Sequence, residues 1–173
     1  MKSINKLVQQ DGAIQDRSIF WDEDIYQKEM EEIFARCWLF LTHESIIPDD
    51  GDYQATTMGE DSVVVARQND GSIKAFVNSC THRGNAVCFS DGGNAKAFTC
   101  PYHGWVFGMD GSLVDVPLEK QAYHNEIDKD ALHLKKVRVE SYKGFVFGTF
   151  DEDAPSLKDY LGGMAWYMDS FMD

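Results

Sequence analysis

The sequence predicts a mainly β protein: a small antiparallel sandwich or barrel, with one N-terminal helix and a truncated helical extension at the C-terminus. Three observations predict it. Short strand-like runs recur from residue 38 onward. Glycine-bearing turns such as Asn69-Asp70-Gly71 and Met109-Asp110-Gly111 separate them. Helical signals are confined to the two ends.

Residues 1–17 are polar and unpatterned and are expected to form an arm. Asp22 is placed to cap a helix over about 23–36, with Tyr26, Met30, Ile33, Phe34 and Cys37 on one face and Glu29, Glu31 and Glu32 opposite. Strand-like runs follow at 38–42, 52–58, 62–67 and 73–78, and then at 97–99, 106–107, 137–142 and 145–150. A helix begins at 156–161. The last residues, Ser170-Phe171-Met172-Asp173, carry no stop signal and read as an interruption. Trp166-Tyr167-Met168 therefore call for a partner surface outside the chain. The expected units are an arm and helix (1–37), a β domain (38–155) and the start of a further domain (156–173).

A chain of 173 residues has room for one real core. Sixteen Lys+Arg against 29 Asp+Glu give a net charge of −13, which argues against nucleic acid and anionic membranes as partners. Solubility is the simple reading of that charge, and a basic partner the alternative. Residues 1–11 lack the apolar core of a signal peptide, and no run approaches a membrane span. The expected location is cytoplasmic. Four cysteines without a secretion signal do not predict disulfides.

Two of those cysteines belong to the most informative pattern in the chain. Cys80-Thr81-His82 and Cys100-Pro101-Tyr102-His103 each couple a thiol with an imidazole, and the seventeen residues 83–99 separate them. Residues i and i+2 of an extended loop point to the same side, about 6–7 Å apart, so one loop can reach two neighbouring metals. The pattern can hold a [2Fe-2S] cluster with two thiolates on one iron and two imidazoles on the other. Neutral imidazoles leave such a cluster less negative than four thiolates would, which raises its potential. The ligating forms are the thiolate and the neutral ring nitrogen. Gly84 and Gly104 suit tight turns that expose backbone N–H groups. A structural zinc site is the competing reading, but zinc favours like ligands paired within each motif, and here each motif mixes the types.

Cys80-Thr81-His82-Arg83-Gly84 and Cys100-Pro101-Tyr102-His103-Gly104-Trp105 resemble the Rieske loops of bacterial aromatic-ring-hydroxylating dioxygenase large (alpha) subunits. Ile33-Phe34-Ala35-Arg36, Trp38-Leu39-Phe40, Gly51-Asp52-Tyr53 and Gly92-Gly93-Asn94-Ala95-Lys96 extend the likeness to naphthalene- and biphenyl-type subunits, from about Ser18 to the last residue. The resemblance implies a Rieske-type fold with a [2Fe-2S] cluster on Cys80, His82, Cys100 and His103. It implies that each ligand histidine keeps its second nitrogen outward, and that Arg83 and Trp105 pack over the cluster and limit water access.

The resemblance further implies electrons from NAD(P)H, passed by a reductase and a ferredoxin to this cluster and then to a mononuclear Fe(II). That iron, held in a neighbouring alpha subunit, uses O₂ to make a cis-dihydrodiol from an aromatic hydrocarbon. Many such enzymes add a small beta subunit. The mononuclear iron needs two histidines and a carboxylate, which the family carries in its C-terminal domain; no such triad is legible here. The chain is expected to be the N-terminal Rieske region of such a subunit, passing electrons without hydroxylating a ring itself.

High-potential respiratory relatives carry a disulfide-forming cysteine in each loop, at positions that look like Asn85 and Tyr102 here, so a potential low in the Rieske range is expected. A stand-alone Rieske-type ferredoxin is the runner-up, opposed by the helix at 23–36 and the tail after Phe150. A zinc-stabilised binding module with no redox role is the third reading. Of the remaining residues, Cys37 reads as a small buried hydrophobe and Cys88 as packing near the cluster. His43 reads as structural, and His124 and His133 as part of a solvated loop.

Overall fold

Val63-Val64-Val65-Ala66 is an unbroken apolar run because its strand is covered on both faces, and all four residues are buried. The computed structural model describes Leu7, Val8, Gly12 and residues 15–172. Among the described residues, ten strands run in chain order: β1 Leu39–His43, β2 Asp52–Met58, β3 Asp61–Arg67, β4 Ile73–Val77, β5 Gly92–Asn94, β6 Ala97–Thr99, β7 Val106–Gly108, β8 Leu113–Asp115, β9 Lys136–Tyr142 and β10 Phe145–Thr149. All pair antiparallel. Seven form one sheet in the order β1-β10-β9-β4-β3-β2-β5, and β6-β7-β8 form a second. The Thr42 hydroxyl on β1 donates to Gln54 Oε1 on β2, which ties one end of the large sheet to the strand next to its other end and curls it towards a barrel.

The alternation along β3 feeds two cores. Val63 and Val65 face inward with Leu41, Ile47, Met58, Ala75, Val137 and Val146. Val64 and Phe76, which are paired across β3 and β4, face the other way, under the small sheet with Phe98, Phe107 and Leu113. Cys80, Cys100 and Trp105 belong to this second core, so the packing that joins the sheets also builds the floor of the candidate site.

The eight predicted strands are present, with bounds shifted by one residue at most. β5 and β8 are additional. The run Gly92-Gly93-Asn94 has no strand propensity; it pairs because β2 offers an open edge, with Tyr53 opposite Gly93. A Cβ on Gly92 would meet the Tyr53 carbonyl at 3.0 Å, so glycine eases the close approach of the two strands. The two predicted turns fold alike. Gly71 and Gly111 both have φ of +79°, and Asp70 and Asp110 each accept from the backbone N–H of the following serine.

The N-terminal helix departs from its expected shape. Asp22 caps it as predicted, accepting from Asp24 and Ile25 N–H. Helix α1 spans Glu23–Glu29 and then widens into a π-helical turn over Met30–Phe34, where Ala35 N–H donates to Met30 O. The widening rotates the later residues, so Ile33 leaves the predicted apolar face and is 48% exposed. Met30 and Phe34 settle over Gly59 at the β2–β3 turn, where an added Cβ would meet Met30 Cε at 2.5 Å.

Other departures are local. Residues 1–6, 9–11, 13 and 14 of the expected arm lie outside the described residues; Leu7 is buried and Val8 bridges Gln15. The stretch read as solvated loop contains helix α2, Glu119–Tyr123, and a 3₁₀ turn at Asp130–Leu132. The helix expected at 156–161 is α3, Leu157–Leu161, capped by Ser156, and α4 follows over Gly163–Phe171. Glu140 on β9 accepts from Leu157 N–H at 2.8 Å, and Trp38 Nε1 donates to Pro155 O at 2.9 Å, so α3 is fastened to the barrel. Met168, expected to need an outside surface, is buried within the chain, while Trp166 and Phe171 stand 66% and 81% exposed. Among the described residues, no helix is long and apolar enough to cross a membrane.

Candidate metal centre

The two motif loops are closed in the same way despite their different spacings. Cys80 N–H donates to Asn85 O at 2.8 Å, and Gly84 N–H returns to Cys80 O at 2.7 Å. Cys100 N–H donates to Trp105 O at 2.8 Å, and Gly104 N–H returns to Cys100 O at 2.9 Å. Both glycines are left-handed, with φ of +73° and +77°, a conformation costly for any residue with a Cβ. Loops 80–85 and 100–105 are thus equivalent frames. The first follows β4 through Asn78 and Ser79, and the second is the tip of the β6–β7 hairpin. Histidine departs from the third position of one frame and the fourth of the other, which accounts for the two spacings.

These frames sort the four side chains by type. Cys80 and Cys100 lie in the core, 3% and 1% exposed. Their thiols face each other. Burial pushes the Cys80 thiol up and the Cys100 thiol adds to this, while the backbone N–H groups of His82 and Arg83, directed at the sulfur, pull it down. Those N–H groups are positioned to stabilise a thiolate. Nearer the surface, the His82 and His103 rings lie 4.6 Å apart between centroids. Burial, the neighbouring His103 and the Arg83 charge push His82 below its ordinary value, towards the neutral form that can ligate a metal.

One atom bears directly on whether a metal group fits. His82 Nδ1 is buried and has no hydrogen-bond partner. A buried ring nitrogen left this way is costly, and coordination to a metal would satisfy it. Paired sulfurs beneath paired imidazoles match the ligand split of a mixed two-iron cluster.

Around the four, the expectations meet mixed outcomes. Trp105 is buried and stacks on His82, with centroids 4.8 Å apart and planes 9° from parallel; Phe107 and Tyr123 support it from behind. Arg83, expected to pack over the site, is exposed at the tip of the turn that Gly84 closes. Cys88 is buried in the same core as Cys80 and Cys100, with Sγ 3.3 Å from Ser90 O. Cys37 is half-buried beside the Tyr160 hydroxyl, a polar partner that a plain hydrophobe would lack. His43 is structural, as expected: Nδ1 accepts from Ser45 N–H, and the ring fills the space over Gly144. His133 is half-buried, and its Nδ1 accepts from Leu113 N–H at 3.1 Å, so it braces β8 rather than lying in solvent.

Two supporting residues escape sequence reasoning. Asn78 is buried and saturated: Oδ1 accepts from Val87 and Cys88 N–H, and Nδ2 donates to Cys88 O and Ser62 Oγ. Tyr102 lays its ring against His103, with centroids 3.8 Å apart. Asparagine at a strand end is too common to signal the first, and the second depends on the loop geometry, which no local pattern encodes.

Two equivalent loops, paired sulfurs and paired imidazoles on an antiparallel β scaffold define an iron–sulfur protein class, and the chain belongs to the Rieske [2Fe-2S] domain family, whose model matches residues 37–143. More particularly, the chain is similar to dioxygenase large subunits. It is 54% identical over 164 residues to the large oxygenase component of the naphthalene 1,2-dioxygenase system of Pseudomonas aeruginosa, covering 94% of this chain and 36% of that protein. It is 47% identical over 178 residues to the biphenyl dioxygenase subunit alpha of Paraburkholderia xenovorans (strain LB400), covering 99% of this chain and 39% of that one. A naphthalene 1,2-dioxygenase structure with indole in its active site superposes with a TM-score of 0.90 at 53% identity, over 94% of this chain and 37% of that one. The chain therefore spans little more than a third of the length of the curated relatives it matches.

Proposed function

We propose that Cys80, His82, Cys100 and His103 hold a [2Fe-2S] cluster, and that the chain serves as the electron-transfer part of an aromatic-ring-hydroxylating dioxygenase large subunit. The observation that carries this is the orphaned, buried Nδ1 of His82, placed with His103 above two buried cysteines. When bound, such a cluster takes up and releases one electron at a time. The chain's own residues do the rest. The N–H groups of His82 and Arg83 stabilise charge on the Cys80 sulfur. Trp105 holds the His82 ring in one orientation and keeps water from its inner face. His103, at the surface beneath Tyr102, offers the route by which an electron enters or leaves.

In this reading the chain receives electrons derived from NAD(P)H by way of a reductase and a ferredoxin. It would deliver them, two per ring, to a mononuclear Fe(II) held by another alpha subunit, where O₂, those two electrons and two protons would be added to an aromatic hydrocarbon to give a cis-dihydrodiol. Relatives named as large oxygenase components of dioxygenase systems support this assembly; a small beta subunit and a cytoplasmic location belong to the same proposal. The test is metal and sulfide analysis of the purified chain, with EPR of the dithionite-reduced form. Two irons and two acid-labile sulfides per chain, with a rhombic signal from one reduced iron pair, are expected. Stoichiometric zinc, or iron without sulfide, would overturn the proposal.

A further inference from the structure

We infer that the side-chain amide of Asn85 sets the potential of this site, by donating from the first loop to the Cys100 sulfur of the second. The inference rests on the reading of the site as a [2Fe-2S] centre. Asn85 Nδ2 carries two donors. One is directed to Ala86 O at 2.8 Å, and the other to Cys100 Sγ at 3.9 Å, long for nitrogen to oxygen but within reach of the larger sulfur. Asn85 does this from a fixed place. Its own carbonyl receives Cys80 N–H, and the segment that follows it is pinned at Val87 and Cys88 by the buried Asn78. The amide therefore does not have to reorganise to meet the sulfur.

The consequence is electrostatic. Reduction would add one electron, supplied by a ferredoxin-class donor, and would make the cluster as a whole, with the sulfurs that bind it, more negative. No covalent bond forms or breaks, and both amide protons stay on Nδ2. A fixed N–H directed at Cys100 Sγ favours the more negative state over the less negative one, which raises the midpoint potential. Asn85 occupies one of the two positions where high-potential relatives, by resemblance, carry a bracing cysteine. A noncovalent cross-loop contact thus stands here in place of a covalent one.

The test compares the iron-loaded wild-type chain with Asn85→Leu, which keeps the volume and removes both donors, and with Ser79→Ala. The latter removes the Ser79 hydroxyl's bond to Gly84 O in the same loop without touching a sulfur. Redox titration is read alongside iron and sulfide content and thermal unfolding. Asn85→Leu is expected to weaken reduction about tenfold, a fall of ~59 mV for one electron, with iron and sulfide retained, while Ser79→Ala leaves the potential unmoved. An unchanged potential in loaded Asn85→Leu, or an equal fall in Ser79→Ala, overturns the inference. If Asn85→Leu does not hold iron, wild-type protein ¹⁵N-labelled at the asparagine side-chain amide decides instead. Pulsed EPR of the reduced state should then show a nitrogen coupling from that label, and its absence refutes the contact. A wild-type chain without two irons and two sulfides refutes the proposed function itself, a different failure from an unmoved potential.

Discussion

The indole of Trp105 lies flat on the imidazole of His82, with ring centroids 4.8 Å apart and planes 9° from parallel. The contact crosses from one loop to the other. It means that a residue of the second loop orients a candidate ligand of the first, and that both loops must fold before either is in place. Trp105 also sits in the core beneath the small sheet, with Phe107 and Leu113.

Trp105→Ala is accordingly expected to act on stability first. Truncating a buried tryptophan costs about 3–5 kcal/mol, and the lost stack frees the His82 ring. Urea unfolding should show a large fall in midpoint. Trp105→Phe, which keeps an aromatic face, should recover most of it.

Cys80→Ser removes one of the two sulfurs buried side by side. The expected outcome is loss of most of the bound iron with the β scaffold retained, read by metal analysis and far-UV circular dichroism on the same sample. Full iron retention would show that Cys80 is not a ligand.

The two loop glycines should differ in their tolerance of alanine. Both are left-handed, so each substitution carries a conformational penalty of about 1–2 kcal/mol. A Cβ at Gly84 has open room, its nearest neighbour being Ser79 Oγ at 3.8 Å. One at Gly104 would press on Pro117 Cγ at 3.0 Å. Gly104→Ala is therefore expected to lower the urea midpoint by more than Gly84→Ala does, and equal effects would contradict the geometry.

Acid stability should depend on Asp52. Its carboxylate accepts from Asn94 Nδ2 and from Asp49 N–H, which holds it below the usual 3.8. A group depressed in the folded state stabilises above its unfolded value, and that contribution is lost as pH falls through the lower folded value. The window therefore lies below about pH 4. Asp52→Asn should lower the melting temperature at neutral pH and flatten its fall below that point, as followed by thermal scans across the range.

Much of this was legible in the chain itself. The strand at 52–58 is legible to the residue because Gly51 and Gly59 bound it, and the strand at 97–99 keeps its expected bounds as well. The coupling of one thiol with one imidazole in each loop, Cys80 with His82 and Cys100 with His103, is legible from spacing alone. Other features had no local signal. Gly92-Gly93-Asn94 became a strand only because β2 lent it an edge, and Ile33 lost its place in the apolar face when a π turn added a residue to the helical repeat. Sequence by itself determined the type of each ligand candidate and the turns that bear them, because these depend on neighbouring residues. Only the tertiary structure decided that Asn85 reaches Cys100, that Trp105 lies on His82 and that Arg83 stays in solvent. Those relationships join or expose side chains in two separate loops, and the packing of one sheet against the other sets the distance between the loops.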